Sequence, residues 1–198
     1  MKYLNQKKYP HIPYITRTDP DDPGHERGKN TTVRTSGCGL CAGIMAADRL
    51  LPYCEFSLRD AVELSYEVGA NHGRGTDPRL YYPAFAQRMG LKLESSKDIA
   101  DLQRCLRTGG AAVILFAGDY EGHVGLFTHG GHYVTAINEE PDGRIALLDP
   151  SYFVGKYEEE GRQGKVEVIN EVIALCSPEI IEEETAPKQL PYWLFWRR

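Results

Sequence analysis

Three side chains of the types used in nucleophilic catalysis stand out in the sequence: Cys38, His132 and Asp149. Cys38 lies between two glycines, just before a segment with helical spacing. Free N–H groups at a helix N-terminus stabilise a thiolate, and the glycines leave the backbone open to a substrate. The Cys38 N–H would then face an oxyanion. The pattern predicts a cysteine nucleophile, with a small buried cysteine as the alternative interpretation.

His132 and Asp149 lie at the open end of a predicted β-hairpin. One strand covers residues 132–138, the other covers residues 144–148, and the loop between them ends in Asp-Gly, a hairpin signal. This loop position places His132 and Asp149 nearly opposite each other, where Cβ atoms are about 5 Å apart. We expect Asp149 to orient His132 and to stabilise its imidazolium, as a Cys–His catalyst requires.

The elements that must position these residues change in type along the chain. Helical spacing and end signals predict helices over residues 40–53, about 57–68, 79–89 and 96–107. Buried strands are predicted over residues 111–117, 132–138 and 144–148, with a weaker strand over 166–175 and a Pro-containing edge piece at 12–15. Because helices precede strands, the expected fold class is α+β with a mostly antiparallel sheet.

Two short motifs carry a resemblance to a known family. Ser36-Gly37-Cys38-Gly39, opening an Ala/Met-rich helix, resembles the nucleophile segment of papain-like cysteine peptidases, closest to the bacteriocin-leader-processing type and its stand-alone relatives. Gly131-His132-Tyr133-Val134 and Leu148-Asp149-Pro150 resemble the histidine strand and acid-Pro segment of that group. The resemblance covers about residues 10–155. It implies a papain-like fold, a Cys38–His132–Asp149 triad and amide-bond hydrolysis through a thioester acyl-enzyme.

A single papain-like domain over residues 1–198 is therefore expected. It divides into a turn-rich segment (1–35), a helical part with the nucleophile (36–110), a sheet part with His132 and Asp149 (111–180), and an acidic, aromatic tail (181–198). We expect the aromatic residues 192–196 either to dock on the body of the protein or to form an exposed sticky end. The acidic runs 158–160 and 182–184 are expected to be solvated loops.

One position departs from the family pattern. Such proteins often carry a Gln before the nucleophile as the second oxyanion donor, but Arg17 stands where the resemblance places that Gln, and Thr32 stands at the papain-like spacing. Arg17 is the predicted substitute donor, with full charge and a different reach. Loss of one oxyanion donor costs on the order of 10²–10³ in rate, so weak activity is one expected outcome.

Other functions compete with hydrolysis. The same fold with a dead site would be a peptide-binding or partner-binding module, and the same triad would also serve an acyltransferase, since both reactions share an acyl-enzyme. Cys38 and Cys41 have zinc-ligand or redox spacing, which His123, His129 and His132 would complete as a metal site. Because Cys41 falls within the first helical turn, packing inside the helix is the preferred interpretation.

The amino-acid composition limits the kinds of partner that the protein is expected to bind. The net charge of −5 and the pI near 5.7 argue against a nucleic-acid binder, which needs a basic face. No apolar run approaches the roughly 18 residues that span a bilayer. Five scattered cysteines do not imply a disulfide framework and favour a cytoplasmic setting, although a secreted mature form would look the same. We expect a peptide or amide-containing substrate, no cofactor and no metal; the oligomeric state stays open.

Overall fold

The computed structural model describes residues 1–18, 21, 25–51 and 53–198. Its strands are β1 (Leu91–Ser96), β2 (Ala111–Phe116), β3 (His132–Glu139), β4 (Ile145–Leu148), β5 (Val166–Val168), β6 (Ile173–Cys176) and β7 (Tyr192–Arg197). They form an antiparallel seven-stranded sheet in the order β1-β7-β2-β3-β4-β6-β5. The helices are α1 (His25–Gly28), α2 (Val33–Ser36), α3 (Cys38–Leu50), α4 (Leu58–Glu67), α5 (Pro78–Met89), α6 (Ile99–Arg107) and α7 (Pro178–Thr185), with 3-10 turns at Gln6–Lys8 and Lys156–Glu158.

Each face of the sheet has its own apolar core. On one face, α3 and α5 pack against alternate residues of the central strands, such as Val113, Tyr133 and Phe195, and α4 packs against these two helices. On the other face, α6, α7 and the chain before β3 cover the intervening residues, such as Ile114 and Val134. The structure is thus mixed α/β with an antiparallel sheet, as the α+β expectation requires.

Residues that favour helix ends determine where several of the predicted helices begin and end. The Ser57 hydroxyl accepts from the Asp60 N–H, and the Asp60 carboxylate accepts from the Ser57 N–H, so both cap the start of α4. Gly90 ends α5 in the left-handed conformation, with φ at 65°, which glycine adopts without strain. α3 begins at Cys38, two residues earlier than predicted, so Cys38 itself occupies the first helical position.

Two elements correct the prediction for residues 91–107. Residues 91–96 form the edge strand β1, which was not predicted. The following helix α6 begins at Ile99 rather than at Ser96, and the Asp98 carboxylate caps it by accepting from the Ala100 N–H at 2.8 Å. The region expected to be the helical part therefore contributes a strand to the sheet.

The last third of the chain differs more. The predicted strand over residues 166–175 is two paired strands, β5 and β6, separated by a turn at Asn170. Residues 192–197 do dock: they form β7, which lies inside the sheet between β1 and β2. The predicted edge strand at residues 12–15 is only an isolated bridge between Pro13 and Thr32.

Residues 182–184 are not the solvated loop that was expected, because they belong to α7. The Glu184 side chain is buried and accepts from the Leu126 N–H at 2.8 Å, while its other oxygen lies 2.8 Å from His123 Nε2. Burial raises the pKa of the Glu184 carboxyl, against the lowering effect of these contacts. Glu184 therefore ties α7 to the chain before β3.

We expect Glu184→Gln to lower the free energy of unfolding by about 1–2 kcal/mol, because an amide cannot accept at both positions with the strength of a carboxylate. Urea denaturation at pH 7 measures the change. Glu182→Gln is the matched control, since Glu182 is exposed on the same helix. Equal stability of the two variants would contradict a structural role for Glu184.

No helix among the described residues combines the length and the apolar character needed to cross a bilayer.

Candidate active site

Cys38 is held where two helices meet. α2 ends at Ser36, Gly37 links it to α3, and a Cβ added at Gly37 would lie only 2.7 Å from Val33. Only glycine permits this close approach, which brings Cys38 to the first position of α3. The N–H of a first helical residue has no acceptor within its own helix, so the Cys38 N–H is available to a substrate.

His132 and Asp149 are in contact, as predicted, but not through the predicted strand register. Thr135 pairs with Leu148, which places Asp149 opposite Val134, and an irregularity between Ala136 and Asn138 shifts the pairing further along. The predicted pairing of His132 with Asp149 is therefore wrong. The contact forms because Asp149 follows the end of β4, and its Oδ1 lies 2.8 Å from His132 Nε2.

Asp149 is the centre of a buried polar cluster. Its Oδ2 accepts from the Lys156 ammonium and from the Tyr157 hydroxyl, the latter at 2.8 Å. Its Oδ1 also accepts from the Ser151 N–H at 2.8 Å. Burial by itself would raise the pKa of the Asp149 carboxyl, but the charges of Lys156 and His132 and their hydrogen bonds hold that pKa well below its usual range. Asp149 is therefore an ionised acceptor.

An ionised Asp149 fixes the tautomer of His132. A carboxylate only accepts hydrogen bonds, so Nε2 of His132 carries a hydrogen and donates it. The remaining ring nitrogen, Nδ1, is left to serve Cys38, and the interaction between the two side chains lowers the pKa of Cys38 and raises that of His132. The three side chains thus form the chain of contacts that the sequence predicts.

The pKa of Cys38 is lowered and the pKa of His132 is raised, as in an ion pair of thiolate and imidazolium. Burial would raise the pKa of the Cys38 thiol, but the hydrogen bond and charge of His132 and the N–H groups of Tyr133 and Gly39 bring it below its ordinary value. Burial would lower the pKa of His132, but Asp149 and Cys38 raise it above its ordinary value. Such shifts favour a thiolate beside an imidazolium.

An N-terminal arm, residues 3–6, braces the site from outside, and sequence reasoning missed it. The Tyr3 hydroxyl donates to the Asp149 carbonyl and the Gln6 N–H donates to the Pro150 carbonyl, both at 2.7 Å. The Gln6 side chain donates to the Arg34 carbonyl in α2 at 2.9 Å. The arm therefore links the segment before the nucleophile to the loop that carries the acid.

Arg17 does not join this site. Its exposed guanidinium donates to Asn71 Oδ1 at 3.1 Å, and its backbone bridges to His72. Within the parts of the chain that the structure describes, it has no contact with Cys38 or His132. These contacts therefore do not place the Arg17 guanidinium where it could donate to an oxyanion formed at Cys38.

The residues of the alternative metal or redox site are used elsewhere. Cys41 is buried in the core within α3, and burial raises its pKa far above the ordinary value. His123 pairs with Glu184, and His129 Nδ1 lies 2.9 Å from Asp119. Among residues 1–18, 21, 25–51 and 53–198, no three His, Cys, Asp or Glu side chains are grouped to hold a metal ion.

A cleft of about 540 Å³ opens beside the triad, bordered by Ser36 next to the nucleophile segment and by Gly131 next to His132. A larger groove of about 730 Å³ lies at the β1 edge, and no triad residue lines either opening. Of the two, only the smaller is lined by residues that lie next to Cys38 and His132 in the sequence.

Comparison with known proteins adds no assignment: no model of a known protein family matches the chain, and no curated protein matches it significantly. The chemistry of the site is therefore inferred from its geometry. That site provides a thiol whose pKa a histidine lowers and a buried acid bonded to that histidine, which together suit acyl transfer to and from sulfur.

Proposed function

We propose that this protein is a cysteine-dependent amide hydrolase with a papain-like fold, and that Cys38, His132 and Asp149 are its catalytic triad. The observation that carries the proposal is that His132 bonds the buried Asp149 carboxylate through Nε2, which leaves Nδ1 of the same ring for Cys38. The lowered pKa of the Cys38 thiol and the raised pKa of the His132 imidazole support the same assignment. Neither shift requires a metal or cofactor.

The first half of the reaction forms a thioester. The Cys38 thiolate attacks the amide carbonyl carbon, and the carbonyl oxygen becomes an oxyanion that accepts from the Cys38 N–H. The tetrahedral intermediate then expels the amine, and the His132 imidazolium gives that nitrogen its proton through Nδ1. Asp149 keeps the ring in the orientation that this transfer needs.

The second half releases the acid. A water molecule gives a proton to the neutral His132 as its oxygen attacks the thioester carbonyl. The second tetrahedral intermediate expels the Cys38 thiolate, which is again stabilised by the imidazolium. Carboxylic acid leaves, and the ion pair is restored.

An activated ester tests the acyl-enzyme directly. We expect 4-nitrophenyl acetate at pH 7 to acetylate Cys38, with a burst of nitrophenol and an acetyl group found on the Cys38 peptide by mass spectrometry. Cys38→Ser is expected to lose the burst, and Cys54→Ser, which removes another partly exposed thiol, is expected to keep it. Acetylation of Cys54 in preference to Cys38 would overturn the proposal.

A further inference from the structure

The cleft beside the triad, called here the hydroxyl cleft, has polar walls. Five threonines (Thr16, Thr18, Thr31, Thr35 and Thr128), Ser36 and four glycines line it, together with Arg74 and His129. No large aliphatic or aromatic side chain of the described residues lines it. Because the cleft offers little apolar surface, an apolar substrate group would gain little by binding there, and a polar group fits it better.

Most polar groups of the wall already have partners. The Thr31 hydroxyl donates to the Gly28 carbonyl at 2.8 Å, and the Thr35 hydroxyl donates to the Thr32 carbonyl at 3.1 Å. The Thr128 hydroxyl accepts from the Gly130 N–H at 3.0 Å. These bonds hold the wall in place rather than leaving it free to bind.

Ser36 and Arg74 are different. The Ser36 side chain is 96% buried, since its exposed fraction is 4%, and its hydroxyl forms no hydrogen bond within the described parts of the chain. The exposed guanidinium of Arg74 likewise has no ion pair or hydrogen bond there. The Ser36 hydroxyl oxygen is not among the fully enclosed polar atoms without a partner, so it can be reached from the cleft and is open to a hydrogen bond with a ligand there.

The charges around the hydroxyl cleft leave Arg74 in excess. Asp119 is paired with His129 at 2.9 Å, and Glu159 is paired with Arg162 at 2.6 Å. Asp77, after the Arg74 loop, is paired with Arg79 at 2.9 Å. Glu159 and Asp77 are thus neutralised by arginines, Asp119 is bonded to the His129 ring, and the free guanidinium of Arg74 gives the cleft a local preference for an anion.

We propose that the hydroxyl cleft binds a carboxylate-bearing segment of the substrate next to the scissile amide, with Arg74 pairing the carboxylate and the Ser36 hydroxyl donating to the segment. The preferred substrate class is therefore a peptide or amide with an acidic residue at that position. This inference rests on the proposed function, because it places the acidic residue relative to an amide attacked by Cys38.

Alkylating amino acids test the preference at Cys38 itself. The probes are the α-amides of N-iodoacetyl-aspartate, N-iodoacetyl-asparagine and N-iodoacetyl-leucine, which carry the same reactive group. We expect saturable alkylation of Cys38, with the aspartate probe about fivefold faster than the asparagine probe below saturation, and the leucine probe slowest. Arg74→Glu is expected to reverse the aspartate preference.

Two controls separate the cleft from the nucleophile. Arg59→Glu makes the same charge change on exposed α4, away from the cleft, and is expected to keep the preference. Plain iodoacetamide is expected to react equally with all three proteins. If iodoacetamide does not alkylate Cys38, the proposed function fails. If Cys38 is reactive but the leucine and aspartate probes alkylate it at the same rate, the cleft inference fails. It also fails if Arg74→Glu keeps the preference for the aspartate probe.

A binding measurement covers the case of an inert thiol. In Cys38→Ser protein, N-acetyl-aspartate amide is expected to shift the NMR resonances of Ser36, Gly73 and Gly131, and N-acetyl-leucine amide is expected to leave them unchanged. Absence of shifts with the aspartate ligand, or equal shifts with both ligands, would overturn the inference.

Discussion

Replacing His132 by alanine is expected to slow alkylation of Cys38 by iodoacetamide at pH 6 by one to two orders of magnitude. In the wild-type protein, the lowered pKa of Cys38 keeps the thiolate populated below the usual thiol range. Without the imidazolium, burial dominates, and even an ordinary thiol with pKa about 8.5 is only roughly 0.3% ionised at pH 6. A thiolate of higher pKa is more nucleophilic, which offsets part of this loss.

The dependence of the Cys38 alkylation rate on pH tests the same pairing of Cys38 with His132. The wild-type rate is expected to rise as pH passes upward through the lowered pKa of Cys38 and then to stay level until pH reaches the raised pKa of His132. In His132→Ala, a single rise is expected near or above the usual thiol range. Mass spectrometry of each cysteine peptide gives the rates, with Cys54 as internal reference and His11→Ala as a control at an exposed histidine. Similar profiles for His132→Ala and the wild type would show that the two side chains do not act as a pair.

Lys156→Met is expected to lower the free energy of unfolding at pH 7 by about 3 kcal/mol, because it removes one partner of a buried ion pair. The Lys156 ammonium is 3% exposed and bonds both the Asp149 carboxylate and, at 2.8 Å, the Ser151 hydroxyl. Burial lowers the pKa of Lys156 and Asp149 opposes that effect, so the pair also carries a desolvation cost. His132 and Tyr157 remain to stabilise the carboxylate in the variant.

The double variant Lys156→Met/Asp149→Asn gives the sharper test. Neutralising both groups removes the unpaired charge, so the double variant is expected to lose clearly less stability than the two single losses together. Urea denaturation followed by the fluorescence of Trp193 and Trp196 measures all three, with Lys97→Met as the exposed control. Additive losses, or a Lys156→Met protein as stable as Lys97→Met, would contradict the coupling.

Acid adds a further expectation. The pKa of Asp149 is lowered on folding, so its contribution to stability is present above its unfolded pKa of about 3.9 and is lost as pH falls through the folded value. Lys156→Met raises that folded value. Acid unfolding of the variant is therefore expected to begin at higher pH than in the wild type.

Short-range signals explain what the sequence could predict. Ser57 with Asp60, and Gly90, set helix ends through contacts within three or four residues, and these were readable directly. The contact of His132 with Asp149 was also predicted, although the strand register was wrong. The irregularity between Ala136 and Asn138 that shifts the register depends on packing across the sheet.

The features that were missed are ones that the neighbouring sequence does not signal. β1 is an edge strand with few apolar residues, and its partner β7 lies about 100 residues later, so neither element signals the other locally. Lys156 contacts Asp149 only because a loop and a 3-10 turn fold back over the carboxylate. Ser36 gives no sign in the sequence that it lies, largely buried, in the wall of a cleft.

The position of β7 between β1 and β2 has a consequence for biosynthesis. Ribosomes complete β1 96 residues and β2 76 residues before the strand that joins them begins, so a nascent chain holds two unsatisfied strand edges while the triad residues have already been made. Nonlocal pairing of this kind slows folding and leaves time for association between chains. Nascent-chain chaperones that cover strand edges would therefore matter most during the interval before residues 192–197 emerge.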